Sequence, residues 1–130
     1  MKKSHSQLVT LELVDAIGHA FNSNNIDAVM QYFVDDATFD HASGPDIYGL
    51  RIEGADAIRA AFASLFDSVK SVHWTTLNTG IADNKAYCEY RRVAKLKNGE
   101  VQDFHSVDIL TFRDGKIAHK DTYYKNRNSE

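Results

Sequence analysis

Hydrophobic positions along the chain change their period near residue 70. Before that point they recur every three or four residues, as on one face of a helix. After it they alternate, as in half-buried strands. Leu8, Leu11, Val14, Gly18 and Phe21 predict a first helix over Ser6–Asn22, closed by the polar run 22–25. Asn24 or Asn25 can cap a second helix, Ile26–Val34, with Ile26, Val29, Met30 and Phe33 as its stripe. Ile58, Ala61, Phe62, Leu65 and Phe66 predict a third, from Ala55 to Phe66.

Three turn signals divide the second half: Asp83-Asn84, Asn98-Gly99 and Asp114-Gly115. Asn-Gly and Asp-Gly are strong hairpin signals because both residues tolerate positive φ. The strands they separate lie near 71–82, 86–97, 100–112 and 117–124, an antiparallel meander. Several exceed the usual length of about five or six residues, so the sheet should twist strongly or curl. Between helices and meander lies Phe33–Gly54. In it Asp35-Asp36 stops the helix, Ala37–His41 forms a short extended run, and the turn-rich segment Ala42–Gly49 holds the only proline. Helices followed by a meander imply an α+β arrangement, with the helices packed on one sheet face. Residues 1–130 are expected to form one domain.

Composition narrows the partners. The net charge is −3 and no basic block is present, which argues against a nucleic-acid or anionic-membrane partner. The polar start, MKKSHSQ, predicts neither signal peptide nor membrane span, and a cytoplasmic location is the default expectation. The single Cys88 cannot form an internal disulfide, and a small buried hydrophobe is its simplest role. On the third predicted strand, Phe104, Leu110 and Phe112 share a face with Asp108, while Val107 and Ile109 share the other. With helices covering only one face, the second predicts a homodimer through the outer side of the sheet.

Asp108 is the sharpest chemical signal, a carboxylate among apolar neighbours, costly to ionise without a partner. A two-residue turn at Asn98-Gly99 would set Glu89 opposite Asp108 and Arg91 opposite Ser106. Facing carboxylates beside an arginine suit acid–base work, and equally an ion pair that only holds the sheet. The last strand admits two registers. One puts Asp121, His119 and Tyr123 on Asp108's face, and a bulged turn puts Lys120, Thr122 and Tyr124 there. His41 can act as a general base near neutral pH or sit as a hydrogen-bonded rim histidine, and Asp40 points to the opposite face. Tyr48, Phe62 and Trp74 suit the lining of an apolar pocket, or plain core. His73 and His105 show no metal-ligand spacing, so neither metal nor cofactor is expected.

The segments FNSNNIDAVMQYFVDDATFDHASG, GADAIRAAF and VDILTFRDGKI resemble the nuclear transport factor 2-like superfamily, in its SnoaL-like polyketide cyclase and ketosteroid isomerase-like branch. The resemblance spans about Leu8 to Tyr124. It implies a cone-shaped fold, a pocket between curled sheet and helices, and usually a dimer. It sets Asp108 where the isomerases keep a protonated aspartic acid that donates to an oxyanion, and His41 at their general base. Ile17 stands where they carry an oxyanion tyrosine, a departure from the isomerase pattern. It also favours the bulged last turn, with Thr122 lining the pocket. Together these readings predict a small cofactor-independent enzyme, an isomerase, cyclase or lyase, acting on a hydrophobic small molecule. His41 and Asp108 would carry the chemistry, with Tyr48, Phe62, Trp74, Glu89, Arg91, Asp121 and Thr122 binding the substrate. The expected cavity measures about 300 Å³ or more. A dimeric module that binds a small ligand or partner without turnover is the alternative.

Overall fold

The computed structural model describes residues 9–127. Thr10 caps the first helix, α1 (Leu11–Asn22), its hydroxyl accepting from the Leu13 amide. The Ser6–Leu8 part of the predicted helix lies outside the described residues, and Val9 and Thr10 are not helical. Asn25 caps α2 (Ile26–Met30) by accepting from the Asp27 and Ala28 amides. This helix stops short of Val34 because Phe33 already belongs to a strand. α3 (Ala55–Ser68) follows Gly54, whose φ of 92° turns the chain into the helix.

The strands are β1 (Phe33–Asp46), β2 (Gly49–Glu53), β3 (Val69–Ala82), β4 (Lys85–Leu96), β5 (Val101–Arg113) and β6 (Lys116–Tyr124). They form one curved, unclosed sheet in the order β2-β1-β6-β5-β4-β3. The fold is α+β, three helices packed on a mostly antiparallel sheet. The segment expected to be a short run and a loop is instead a hairpin, β1–β2, and β1 pairs parallel with β6. That parallel pairing joins the ends of the chain's two halves, a long-range contact that local periodicity does not report.

The meander corrects one register. Leu96 and Glu100 are joined by a backbone hydrogen bond across a three-residue turn in which Gly99 takes a φ of 95°. Adding one residue to the turn exchanges the faces of everything beyond it. Cys88 therefore sits opposite Asp108, and Glu89 opposite Val107. Arg91 pairs with His105 rather than Ser106. At β5–β6 the turn itself has two residues, Asp114 and Gly115, both with positive φ. The register then shifts between Thr111 and Phe112, so that Asp108 meets Thr122 and Leu110 meets Lys120. The face predicted for a bulged turn is obtained, by a bulge one step beyond the turn.

The core lies between the helices and the inner sheet face. Val14, Ile17, Val29, Ile58 and Phe62 meet Phe33, Phe39, Leu110, Phe112 and Ile117 there, with Cys88 fully buried among them. Among the described residues no helix is long and apolar enough to cross a membrane.

Candidate functional site

α1 is held to the sheet by a side chain of its own. β3 is an edge strand, so the outward backbone groups of Trp74 have no strand to pair with. Asn22 satisfies both, accepting from the Trp74 amide at 2.9 Å and donating to its carbonyl at 3.0 Å. The clasp leaves a cavity of about 110 Å³ between α1 and the inner face of β3–β6. Val14, Ile17, Phe21 and Leu110 form its apolar walls, and Trp74 and Tyr90 its sides. Its mouth is made by Asp15, Gly18, His19, Thr76 and Thr79.

Asp108 and Lys120 lie at the cavity's inner end, although they are only 9% and 7% exposed. Lys120 Nζ stands 3.3 Å from Asp108 Oδ1 and donates to the Thr122 hydroxyl at 2.7 Å. That hydroxyl donates in turn to Asp108 Oδ1, also at 2.7 Å. The three groups close a ring of hydrogen bonds, with two opposite charges and a proton-carrying hydroxyl. Three aromatic rings surround the ammonium, with centroids 4.6 Å (Phe39), 5.6 Å (Phe62) and 5.7 Å (Phe21) from Nζ. A cation over ring faces in a dry site gains attraction that water would screen.

Two weaker acids sit nearby. Burial pushes the Cys88 thiol up to about 11, although the Tyr90 hydroxyl bonded to it pulls the other way. Burial raises the Tyr90 phenol well above its ordinary range, so it stays protonated, as a wall group able to donate.

The predicted site residues separate. Asp108 and Trp74 line the cavity, and Phe62 backs it through the ring beside Lys120. Thr122 lies outside the lining and reaches it only through its hydrogen bonds to Asp108 and Lys120. His41 lies on the inner face but outside the lining, its ring packed near those of Phe39 and Tyr124 at 6.1 and 6.3 Å. Its Nδ1 lies 3.2 Å from the Ser43 carbonyl oxygen, so the ring is tied to its own loop. Tyr48 is exposed in the β1–β2 hairpin, under the Arg51 guanidinium. The extra residue in the β4–β5 turn sends Glu89 and Arg91 to the outer face, both exposed, with Arg91 gripping Asp103 through two hydrogen bonds. Asp121 also faces outward, paired with Asp40 across β1–β6.

Lys120, Tyr90 and the Gly18 mouth were not among the predicted site residues. Lys120 was legible only through the register of the last strand. Gly18 had been read as one member of an apolar stripe.

The outer face carries its own polar cluster. Asp40, 2% exposed, accepts from Arg51 Nε and Nη2 at 2.7 and 2.8 Å. His119 Nε2 lies 3.2 Å from the same carboxylate, and His119 Nδ1 is 2.5 Å from the Thr38 hydroxyl. Arg51 holds the Asp40 carboxyl below its ordinary range. Asp40, His119 and Asp121 offer ligand atoms within 4.8 Å of one another, but both Asp40 oxygens are already taken by Arg51.

Comparison with known proteins agrees with this architecture. A hypothetical protein with a ketosteroid isomerase-like fold from Catenulispora acidiphila DSM 44928, solved in complex with trimethylamine, is 24% identical with a TM-score of 0.77. The match covers 90% of this chain and 88% of that one. A candidate polyketide cyclase from Xanthomonas campestris pv. campestris gives 22% identity and a TM-score of 0.78, over 88% of each chain. A SnoaL-like polyketide cyclase candidate from Jannaschia sp. CCS1 is 14% identical with a TM-score of 0.76, over 96% of this chain and 91% of the other. No curated protein matches the sequence significantly. The SnoaL-like domain model matches residues 14–120, a span that runs from the cavity wall of α1 to Lys120, and the chain belongs to that family.

Proposed function

We propose that this protein is a small cofactor-independent enzyme performing acid–base chemistry on a small, largely apolar carbonyl compound. One observation carries the reading: an ion-paired carboxylate and ammonium, bridged by a hydroxyl, at the end of a cavity walled by Val14, Ile17, Phe21, Trp74 and Leu110. Asp108 takes a proton from the carbon next to the carbonyl. Lys120 lies beside the oxygen on which negative charge develops, and its charge matters more in this water-poor site than it would in solution. Thr122 passes a proton between them. The likeness to cyclase and isomerase-like proteins supports a reaction of this class.

Size limits the substrate. A cavity of about 150 Å³ holds a benzene molecule, so 110 Å³ accepts a few heavy atoms or the reacting end of a longer molecule. A polycyclic substrate would have to leave most of its body outside the mouth. His41, outside this cavity, has no part in the proton transfer. Substituting Asp108→Asn should lower kcat by about 10²- to 10⁴-fold on a carbonyl substrate found by screening. Unchanged turnover would remove the reading.

Retention of a small ligand without turnover is the second reading, favoured by the aromatic cage around Lys120 and by the trimethylamine held by the Catenulispora relative. It predicts binding that Asp108→Asn alters and no product in either case. The outer face supports a homodimer: Tyr87, Val93 and Tyr123 are 41%, 37% and 57% exposed there, beside half-buried Val107 and Ile109. Light scattering at micromolar concentration should give twice the chain mass, and a monomer mass would contradict the dimer.

A further inference from the structure

We infer that Lys120 is a covalent catalytic residue, its amine forming a protonated imine with small aldehydes and ketones that enter past Gly18. The inference rests on the cavity reading above and names its substrate class. Three observations converge on it. Lys120 lines the cavity, and its Nζ lies beside a carboxylate at 3.3 Å and a bridging hydroxyl at 2.7 Å. The three phenylalanine rings favour a cation at that point, and a protonated imine is a cation as the resting ammonium is. An added Cβ at Gly18 meets nothing within 4 Å, so the helix is open where a ligand would pass.

The steps balance without any further reagent. Lys120 gives a proton to Asp108, directly or through Thr122, and its lone pair attacks the carbonyl carbon. The C–N bond forms as the C–O π pair moves to oxygen, which takes that proton from Asp108. Asp108 then removes a proton from nitrogen and delivers it to the hydroxyl, which leaves as water. The nitrogen pair closes the C=N bond, and the positive charge remains on nitrogen. The iminium withdraws electrons from the adjacent C–H, so Asp108, again a carboxylate, has a more acidic proton to remove.

The full chain is incubated with butanal and sodium cyanoborohydride, and butylation of each lysine is followed by peptide mass spectrometry. Exposure alone would make buried Lys120 the slowest to react, behind exposed Lys70, Lys95 and Lys116. Imine chemistry makes it the fastest, and Asp108→Asn slows it by about 10²-fold while the exposed lysines keep their rates. Labelling of Lys120 last, or at a rate indifferent to Asp108→Asn, overturns the inference. If Lys120 stays unlabelled while Asp108→Asn still abolishes turnover of a screened substrate, the acid–base reading survives and the covalent one falls. The wild-type labelling order needs no variant, so a substitution that fails to fold leaves the test intact.

Discussion

Two carboxylates are buried on opposite faces of one sheet, Asp40 outside and Asp108 inside, and their surroundings differ in kind. Asp40 accepts two parallel hydrogen bonds from a guanidinium and lies beside His119 as well. Its oxygens are committed, and its neighbours are strand partners in β1, β2 and β6. Asp108 has a longer contact to one lysine and one hydroxyl hydrogen bond, and it faces a cavity. A saturated carboxylate holds a structure together, whereas one with spare acceptor capacity beside an open space can exchange a proton. Burial by itself does not tell the two apart.

The comparison breaks first at Asp40. Asp40→Asn should cost about 2–3 kcal/mol of unfolding free energy, the scale of a hydrogen bond to a charged group, measured by chemical denaturation, with turnover unaffected. The pH dependence has the same origin. Because the folded carboxyl lies below its ordinary 3.8, its contribution is present above that value and is lost as pH falls through the lower folded one. The wild type should therefore lose a stabilising increment below about pH 4 that Asp40→Asn lacks; parallel acid titrations would contradict this.

A smaller effect sharpens the inner side. Gly18→Leu should stabilise α1 by about 0.5–1 kcal/mol, since glycine is the poorer helix former, while closing the mouth to ligand. A Tm that rises as ligand affinity disappears is the expected pair of results, and unchanged affinity would place the access route elsewhere. The smallest effect is expected at His41. His41→Ala should leave kcat within about twofold, since His41 stands outside the cavity, and cost about 0.5–1 kcal/mol through lost ring packing on Phe39 and Tyr124.

The legibility of the sequence followed the range of each interaction. α1, α3 and the two Gly-containing turns are set by nearby residues, so period and turn chemistry located them. The β1–β6 pairing and the clasp of Asn22 on Trp74, 52 positions apart, are long-range and left no local mark. Asp108 stood out because an acid in an apolar strand is anomalous wherever its partner lies. Lys120 did not, since its face depended on Ala118 bulging out of register. Glu89 and Arg91 were misplaced for the same reason: one extra turn residue moved both to the outside. His41 shares the inner face as expected, yet the rings of Phe39 and Tyr124 pack beside it, and a strand pattern cannot reveal such packing.

The most direct measurement compares Asp108→Asn with Asp40→Asn in one turnover assay on the same substrate, with denaturation curves run beside it. The account predicts that the inner substitution lowers kcat by about 10²-fold or more and largely spares the midpoint, while the outer one lowers the midpoint and spares kcat. Full turnover in Asp108→Asn would contradict it.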